Sequence, residues 1–276
     1  MTVCIAAQCL YKGSPCFVLC TDARLEDDYS GGDVALKMEA SSGNWMHLIA
    51  GNVARAQEFM AIMRAHTDTH TEEEAEVIQA FRVAPRLMKQ RLVAEYLDTR
   101  WGIGLDNFRE NGAKHFPVDT YARIHAEIEQ IEIGCEVVIA GYAGNVPVLC
   151  LVNRSGSVTP HTGFATAGSG YLLAQASLFR RNYRWSYRIE QAIYAVYEAK
   201  RLAEMAPGVG KTTNMAVFGP LRKLNGGSIR TASVSFVSPA GFAELDKQLA
   251  RYGPKDLDAM PNMDPNKMMF WPELGE

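Results

Sequence analysis

The chain begins with a predicted β-hairpin that starts at its second residue. Two apolar, strand-like runs, TVCIAAQCL at residues 2–10 and CFVLCT at residues 16–21, are joined by YKGSP at residues 11–15. The joining segment contains Gly13 and Pro15, residue types that favour a tight turn between two strands. We therefore expect the first residues of the chain to be part of the folded structure.

Outward from this hairpin, predicted strands and helices come in blocks. A strand at residues 45–50 precedes apolar residues at helical spacing from Val53 onward, and Pro85 should kink or split the next helix. Residues 100–116 look irregular, whereas residues 118–131 predict a helix. The later segments are strands at 136–140, 146–153 and 157–161, helices from 171 and 186, strands at 214–218 and 229–236, and a helix at 239–251. Blocks of this kind predict an α+β fold in which helices cover antiparallel sheets, rather than alternating strand–helix units.

Composition and charge narrow the class of protein. The chain has 276 residues, and its 28 Lys and Arg against 31 Asp and Glu give a formal net charge of −3. Hydrophobic residues make up 47% and charged residues 21%, which excludes an intrinsically disordered chain. This charge balance does not indicate nucleic-acid binding or an anionic membrane partner, and no run of about 18 apolar residues could span a bilayer. We expect a cytoplasmic protein, because four of the six cysteines lie in predicted strands as buried, reduced thiols.

The second residue is a candidate nucleophile. Met1 precedes a small residue, so its removal in the cell would make Thr2 the new N-terminus. An N-terminal threonine carries a hydroxyl nucleophile and an amine base on one residue. Taken alone this is weak evidence, since an ordinary start residue explains it equally well.

Four further motifs follow Thr2 along the chain, each at or near the end of a predicted strand or the start of a predicted helix. They are Asp22-Ala23-Arg24 at the end of a strand, Lys37, Ala50-Gly51-Asn52 between a strand and a helix, and Ala167-Gly168-Ser169-Gly170 before a helix. With Thr2-Val3, this order resembles the β-subunits of the proteasome and their bacterial relatives, within the N-terminal nucleophile hydrolases. The resemblance extends over residues 2–236. No single motif is specific, but the five together, in this order, are.

The resemblance implies a role for each matching residue. Thr2 Oγ would attack an amide carbonyl, Lys37 would help to move the hydroxyl proton, and Asp22 would hold Lys37 in place. Gly51 would present its backbone N–H to the developing oxyanion, and Ser169 would form a hydrogen bond near the Thr2 amine. Arg24 would brace the region by ion pairing. Each residue type also occurs at such positions for structural reasons alone. Lys37 could be a surface lysine and Asp22 a strand-end carboxylate, while Gly51 could serve a turn and Ser169 a helix cap.

The resemblance also implies an architecture and a setting. The fold would be a four-layer αββα sandwich of two antiparallel sheets flanked by helices. One domain would span residues 1–251 with an insertion at about 100–133, followed by a Pro- and Met-rich tail at 252–276. The protein would cleave peptides or unfolded proteins as a homo-oligomeric ring or related assembly, without a metal or organic cofactor. Whether an ATPase delivers its substrate stays open.

One departure from the family pattern keeps two alternatives open. The family often carries an Asp and a Ser after its fourth helix, whereas EMAPGVGKTTN at residues 204–214 contains neither. The chain could thus be an inactive assembly subunit, or an amidase for small substrates on the same fold. Lys211 does not belong to a phosphate-binding loop, because this segment follows a predicted helix and precedes a predicted strand. His66 and His70 favour a solvated turn over a metal site.

Overall fold

A computed structural model provides the structure, and it describes residues 2–26, 31–33, 37–42, 44–66, 73–223, 230–253 and 264. The strands are β1 (Cys4–Tyr11), β2 (Ser14–Asp22), β3 (Arg24–Glu26), β4 (Gly31–Asp33), β5 (Met38–Ser42), β6 (Trp45–Gly51), β7 (Cys135–Ala143), β8 (Val146–Val152), β9 (Val158–Pro160), β10 (Phe164–Ala167), β11 (Thr213–Lys223) and β12 (Arg230–Phe236). The helices are α1 (Val53–His66), α2 (Glu74–Phe81), α3 (Val83–Trp101), α4 (Leu105–His115), α5 (Val118–Glu129), α6 (Tyr171–Arg180), α7 (Ile189–Ala203) and α8 (Pro239–Tyr252).

The strands form two five-stranded antiparallel sheets and one short pair. The first sheet has the order β10-β1-β2-β11-β12 and the second the order β5-β6-β7-β8-β9, while β3 pairs with β4. The predicted hairpin is confirmed: Tyr11 pairs with Ser14 across a two-residue turn of Lys12 and Gly13. Both turn residues have positive φ, 49° and 80°, as a type I′ turn requires.

Each sheet buries both of its faces, which confirms the four-layer sandwich. Along β1, Cys4 and Ala6 point into a core between the two sheets, which Phe17 and Leu48 also line. Ile5 and the other alternate residues of β1 point the opposite way, against a core formed with α6, α7 and α8. The second sheet is covered on its outer face by α1, α2 and α3. This two-sided burial explains the nearly continuous apolar runs of the hairpin.

The prediction that residues 100–116 are irregular is wrong. These residues hold the end of α3 and all of α4, which pairs with α5 to form a helical hairpin. Phe108 of α4 is buried and packs against Tyr121 of α5 at a ring-centroid distance of 5.4 Å. Gly112 allows this contact, because a Cβ there would lie 2.9 Å from both rings. Gly102, Gly104 and Gly112 made this stretch look irregular, because glycine has a low helix propensity. The helix forms because of its packing rather than its intrinsic propensity.

The structure also bears on the expected helix break, the cysteines and the C-terminal tail. The helix expected to be interrupted near Pro85 is split, since α2 ends at Phe81 and α3 begins at Val83. All six cysteines are buried free thiols, which confirms the prediction for the four in the hairpin and extends it to Cys135 and Cys150. Most of the predicted tail at 252–276 lies outside the described residues. In the described part of the chain, no helix combines the length and the apolar character needed to cross a membrane.

Candidate active site

Thr2 lies where the ends of three strands of the first sheet meet. It precedes β1, whose residue Cys4 pairs with Thr21 near the end of β2 and with Ala167 at the end of β10. Antiparallel pairing thus places the start of β1 beside the last residues of both neighbouring strands. Thr2 is only 3% exposed, so its hydroxyl is enclosed by protein groups rather than by bulk water.

Asp22 is the central acceptor of the site. Its carboxylate is fully buried and accepts hydrogen bonds from three backbone N–H groups: Val3 at 3.0 Å, Arg24 at 3.1 Å and Gly210 at 3.1 Å. The Thr2 hydroxyl also donates to Asp22 Oδ1. These donors come from three separate segments, so the carboxylate at the end of β2 holds the start of β1, the start of β3 and the loop before β11 together.

Lys37 completes a buried cluster with Thr2 and Asp22. Its Nζ donates to Thr2 Oγ1 at 2.5 Å and to Asp22 Oδ1 and Oδ2 at 3.1 and 3.2 Å. Lys37 is 8% exposed, and its carbonyl accepts from Ile49 N at 3.0 Å, which ties it to β6 of the second sheet. The Thr2 hydroxyl therefore lies between a cationic donor and an anionic acceptor, where water provides little screening.

Ser169 reaches Thr2 from the loop between β10 and α6. Thr2 N donates to Ser169 Oγ at 3.2 Å, and Ser169 Oγ donates to the Thr2 carbonyl at 3.3 Å. Gly170 N also donates to this carbonyl, at 3.1 Å. At Gly168, which has a φ of +84°, a Cβ would lie 2.4 Å from the Thr2 carbonyl oxygen. Glycine is therefore required here for the loop to pass so close to Thr2.

Gly51 and Arg24 lie at the margin of the cluster. Gly51 ends β6 with a φ of +97°, two residues after Ile49, whose carbonyl accepts a hydrogen bond from Cys4 Sγ at 3.3 Å. Within the described residues, Gly51 makes no hydrogen bond with Thr2. Arg24 contributes its backbone N–H to Asp22. The structure thus brings four predicted residues together, Thr2, Asp22, Lys37 and Ser169, and leaves these two beside them.

The loop before β11 contributes to the site in a way that the sequence did not predict. Gly210 lies in the segment that lacks the expected Asp, and it supplies a backbone N–H to Asp22 instead. Lys200 of α7 anchors this loop: its Nζ is fully buried and donates to the Lys211 carbonyl at 2.6 Å and to Glu204 Oε1 at 2.5 Å. The loop joins α7 to β11, which agrees with the rejection of a phosphate-binding loop. A backbone donor leaves no signal in the sequence, whereas a lysine on the apolar face of a helix does.

Nearby cysteines do not compete with Thr2 as nucleophiles. Burial, followed by the charge of Asp22, raises the pKa of the Cys4 thiol well above its usual value. Burial also raises the pKa of Cys20 to about 12. Both thiols are therefore neutral at physiological pH, and the neutral form is a poor nucleophile.

The arrangement can activate a hydroxyl without a metal. In the described residues, no group of three or more His, Cys, Asp or Glu could hold a metal ion; His70 and the side chain of His66 lie outside them. An ammonium donor and a carboxylate acceptor on the same hydroxyl polarise the O–H bond and stabilise an alkoxide as it forms. In comparisons with known proteins, no protein-family model matches the chain, and no curated protein is significantly similar to it.

Proposed function

We propose that the chain is an N-terminal threonine hydrolase that cleaves peptide bonds through an acyl-enzyme on Thr2 after removal of Met1. The observation that carries the proposal is the buried cluster in which Lys37 Nζ lies 2.5 Å from Thr2 Oγ1 and 3.1 Å from Asp22 Oδ1. Removing a lysine and a carboxylate from water is energetically costly, and the pairing of the strands does not require charged side chains at these positions. A hydroxyl held within hydrogen-bond reach of a lysine and a carboxylate also has the geometry of an activated nucleophile.

The proposed reaction has two halves. In the first, Thr2 Oγ attacks the carbonyl carbon of the substrate and its proton passes to the amine that removal of Met1 has exposed. Lys37 stabilises the alkoxide through its 2.5 Å contact, and Asp22 holds Lys37 in position. The C–N bond then breaks, the leaving amine takes the proton, and an ester remains on Thr2. In the second half, water attacks this ester and releases the carboxylic acid product.

Ser169, which contacts Thr2, and Gly51, which lies at the margin of the cluster, would assist these steps. Ser169 Oγ, 3.2 Å from Thr2 N, would hold the free amine close to the hydroxyl. The backbone N–H of Gly51 would stabilise the oxyanion that forms when Thr2 attacks the substrate. Assembly into a homo-oligomeric ring or related form, residence in the cytoplasm and peptide or unfolded-protein substrates complete the proposal, as the resemblance implies.

The test is the intact mass of the purified protein before and after treatment with a β-lactone that acylates nucleophilic hydroxyls. We expect a species without Met1 that gains one inhibitor mass. This adduct should be absent in Thr2→Ala and unchanged in Thr159→Ala, a matched control at an exposed position on β9. Retention of the adduct in Thr2→Ala would refute Thr2 as the nucleophile.

Turnover assays then separate the alternatives. Hydrolysis of a fluorogenic peptide, lost in Thr2→Ala, would support a peptidase. Modification of Thr2 together with hydrolysis of small acyl-amides, but not of peptides, would support an amidase of the same fold. A protein that has lost Met1 and yet forms no adduct would be an assembly subunit, and the absence of an Asp from residues 204–214 would then be the reason.

A further inference from the structure

A cavity of about 370 Å³ lies on the outer side of α3, away from the residues of the Thr2 cluster. It is an open pocket lined by α3, by the hairpin of α4 and α5, and by the turn at Ser155 and Gly156 between β8 and β9. α3 contributes residues spaced three or four apart, among them Pro85, Lys89 and Val93, so one face of this helix forms a wall. The volume lies within the range of pockets that hold small organic ligands.

The floor of the cavity is apolar. Phe108 of α4 and Val93 of α3 are 3% and 8% exposed, and Pro85 is also buried. Leu105 and Ile128 are half-buried and complete the apolar surface. A ligand that reaches this floor must therefore bring an apolar group of its own.

The rim of the cavity is positively charged. Arg82, Arg86 and Arg109 are exposed and Lys89 is half-buried, and all four are lining residues. Among the described residues that line the cavity, none is acidic. Arg109 has a partner outside the lining, Asp106 at 3.6 Å, but the Asp106 side chain is 93% exposed and such a pair is weak.

Cations gathered around a concave apolar surface create a field that attracts an anion. Inorganic phosphate would leave the floor empty, and an uncharged hydrocarbon would leave the rim unpaired. We propose that this cavity binds the free C-terminal carboxylate of a short peptide whose last side chain is apolar. The side chain packs on Phe108 and Val93, and the carboxylate pairs with Arg86 and Lys89, where an arginine can offer two parallel N–H donors.

This inference does not depend on the chemistry of Thr2, since the cavity shares no residue with that cluster. Binding can be measured in the Thr2→Ala variant by isothermal titration calorimetry, so that no hydrolysis occurs. The probe is N-acetyl-Leu-Phe with a free carboxylate, and its control is the corresponding C-terminal amide. We expect saturable binding of the acid with a stoichiometry of one per chain, and binding of the amide at least tenfold weaker.

Charge reversal identifies the site. Arg86→Glu/Lys89→Glu should weaken binding of the acid at least tenfold. The matched control Lys114→Glu/Lys247→Glu changes the net charge equally at two exposed positions outside the cavity and should bind as the parent does. The milder Arg86→Gln should give an intermediate affinity with an unchanged thermal midpoint. Absence of saturable binding, equal binding of the amide, or unchanged affinity in Arg86→Glu/Lys89→Glu would each overturn the proposal.

Discussion

Asp22→Asn removes one charge and one acceptor atom from a carboxylate that is fully buried. Oδ1 accepts from Val3 N, Lys37 Nζ and the Thr2 hydroxyl, whereas Oδ2 accepts from the backbone N–H groups of Arg24 and Gly210 as well as from Lys37. An asparagine amide keeps only one acceptor oxygen. In either orientation, its NH₂ group therefore faces at least two backbone or side-chain donors that it cannot satisfy.

The expected magnitude follows from these contacts. Each buried donor left without an acceptor costs about 1–3 kcal/mol. Loss of its charge partner leaves Lys37, which is 8% exposed, as an unpaired buried cation, and breaking a buried pair in this way costs about 3–5 kcal/mol. These contributions overlap, so we expect the free energy of unfolding to fall by about 4–6 kcal/mol, out of about 5–15 kcal/mol for a typical protein.

The assay is urea unfolding at neutral pH, followed by circular dichroism and tryptophan fluorescence. Asp246→Asn is the matched control: Asp246 Oδ1 accepts one hydrogen bond, from Tyr197 at 2.5 Å, and an amide oxygen can replace it. In Asp22→Asn/Lys37→Met the unpaired cation is also gone, so this double variant should lose less stability than the sum of the single variants. A loss below about 1 kcal/mol in Asp22→Asn, no larger than in the control, would refute the reasoning.

Three further predictions concern other parts of the structure. Gly168→Ala should abolish adduct formation at Thr2 in the intact-mass assay, because a Cβ would lie 2.4 Å from the Thr2 carbonyl oxygen; normal adduct yield would contradict this. Lys200→Met should lower kcat on a fluorogenic peptide by about 10-fold or more with little change in KM, since the Gly210 loop loses its anchor, and Lys200→Arg should recover part of the rate. Burial lowers the pKa of His47 from 6.5 to about 3. Below pH 6.5 this histidine is therefore protonated in the unfolded chain but neutral in the folded protein. The free energy of unfolding, measured with urea, should fall by about 1.4 kcal/mol per pH unit between pH 6.5 and pH 4. His47→Leu should remove that part of the acid sensitivity, and an unchanged slope would argue against it.

Local features of the sequence were sufficient to predict much of the fold. The turn chemistry around Gly13 predicts the hairpin, and Pro85 predicts a break in the helix, which the structure places three residues earlier at Arg82, because both effects act over a few residues. The succession of blocks of strands and blocks of helices predicts antiparallel sheets covered by helices, as observed. Prediction failed for α4 because Gly102 and Gly104 precede it and Gly112 lowers its helix propensity, so the helix depends on packing such as the contact of Phe108 with Tyr121.

The resemblance that the order of motifs supports implied one site containing Thr2, Asp22, Lys37, Ser169 and Gly51, with Arg24 in support. Sequence order supplied only their identities. Whether they meet depends on contacts across 20 residues for Thr2 and Asp22, 35 for Thr2 and Lys37, and 167 for Thr2 and Ser169.

By itself, the sequence determined the local elements and the chemical groups available to the site. Only the tertiary structure decided that the backbone N–H of Gly210, 188 residues from Asp22, would donate a hydrogen bond to its carboxylate. No side-chain type in the sequence indicates such a donor. Only tertiary structure, too, gathered cationic side chains around an apolar floor between α3, α4 and α5. Every residue other than proline carries a backbone N–H, and charged helix surfaces are common. Such groups therefore acquire a specific role only when long-range packing selects their neighbours.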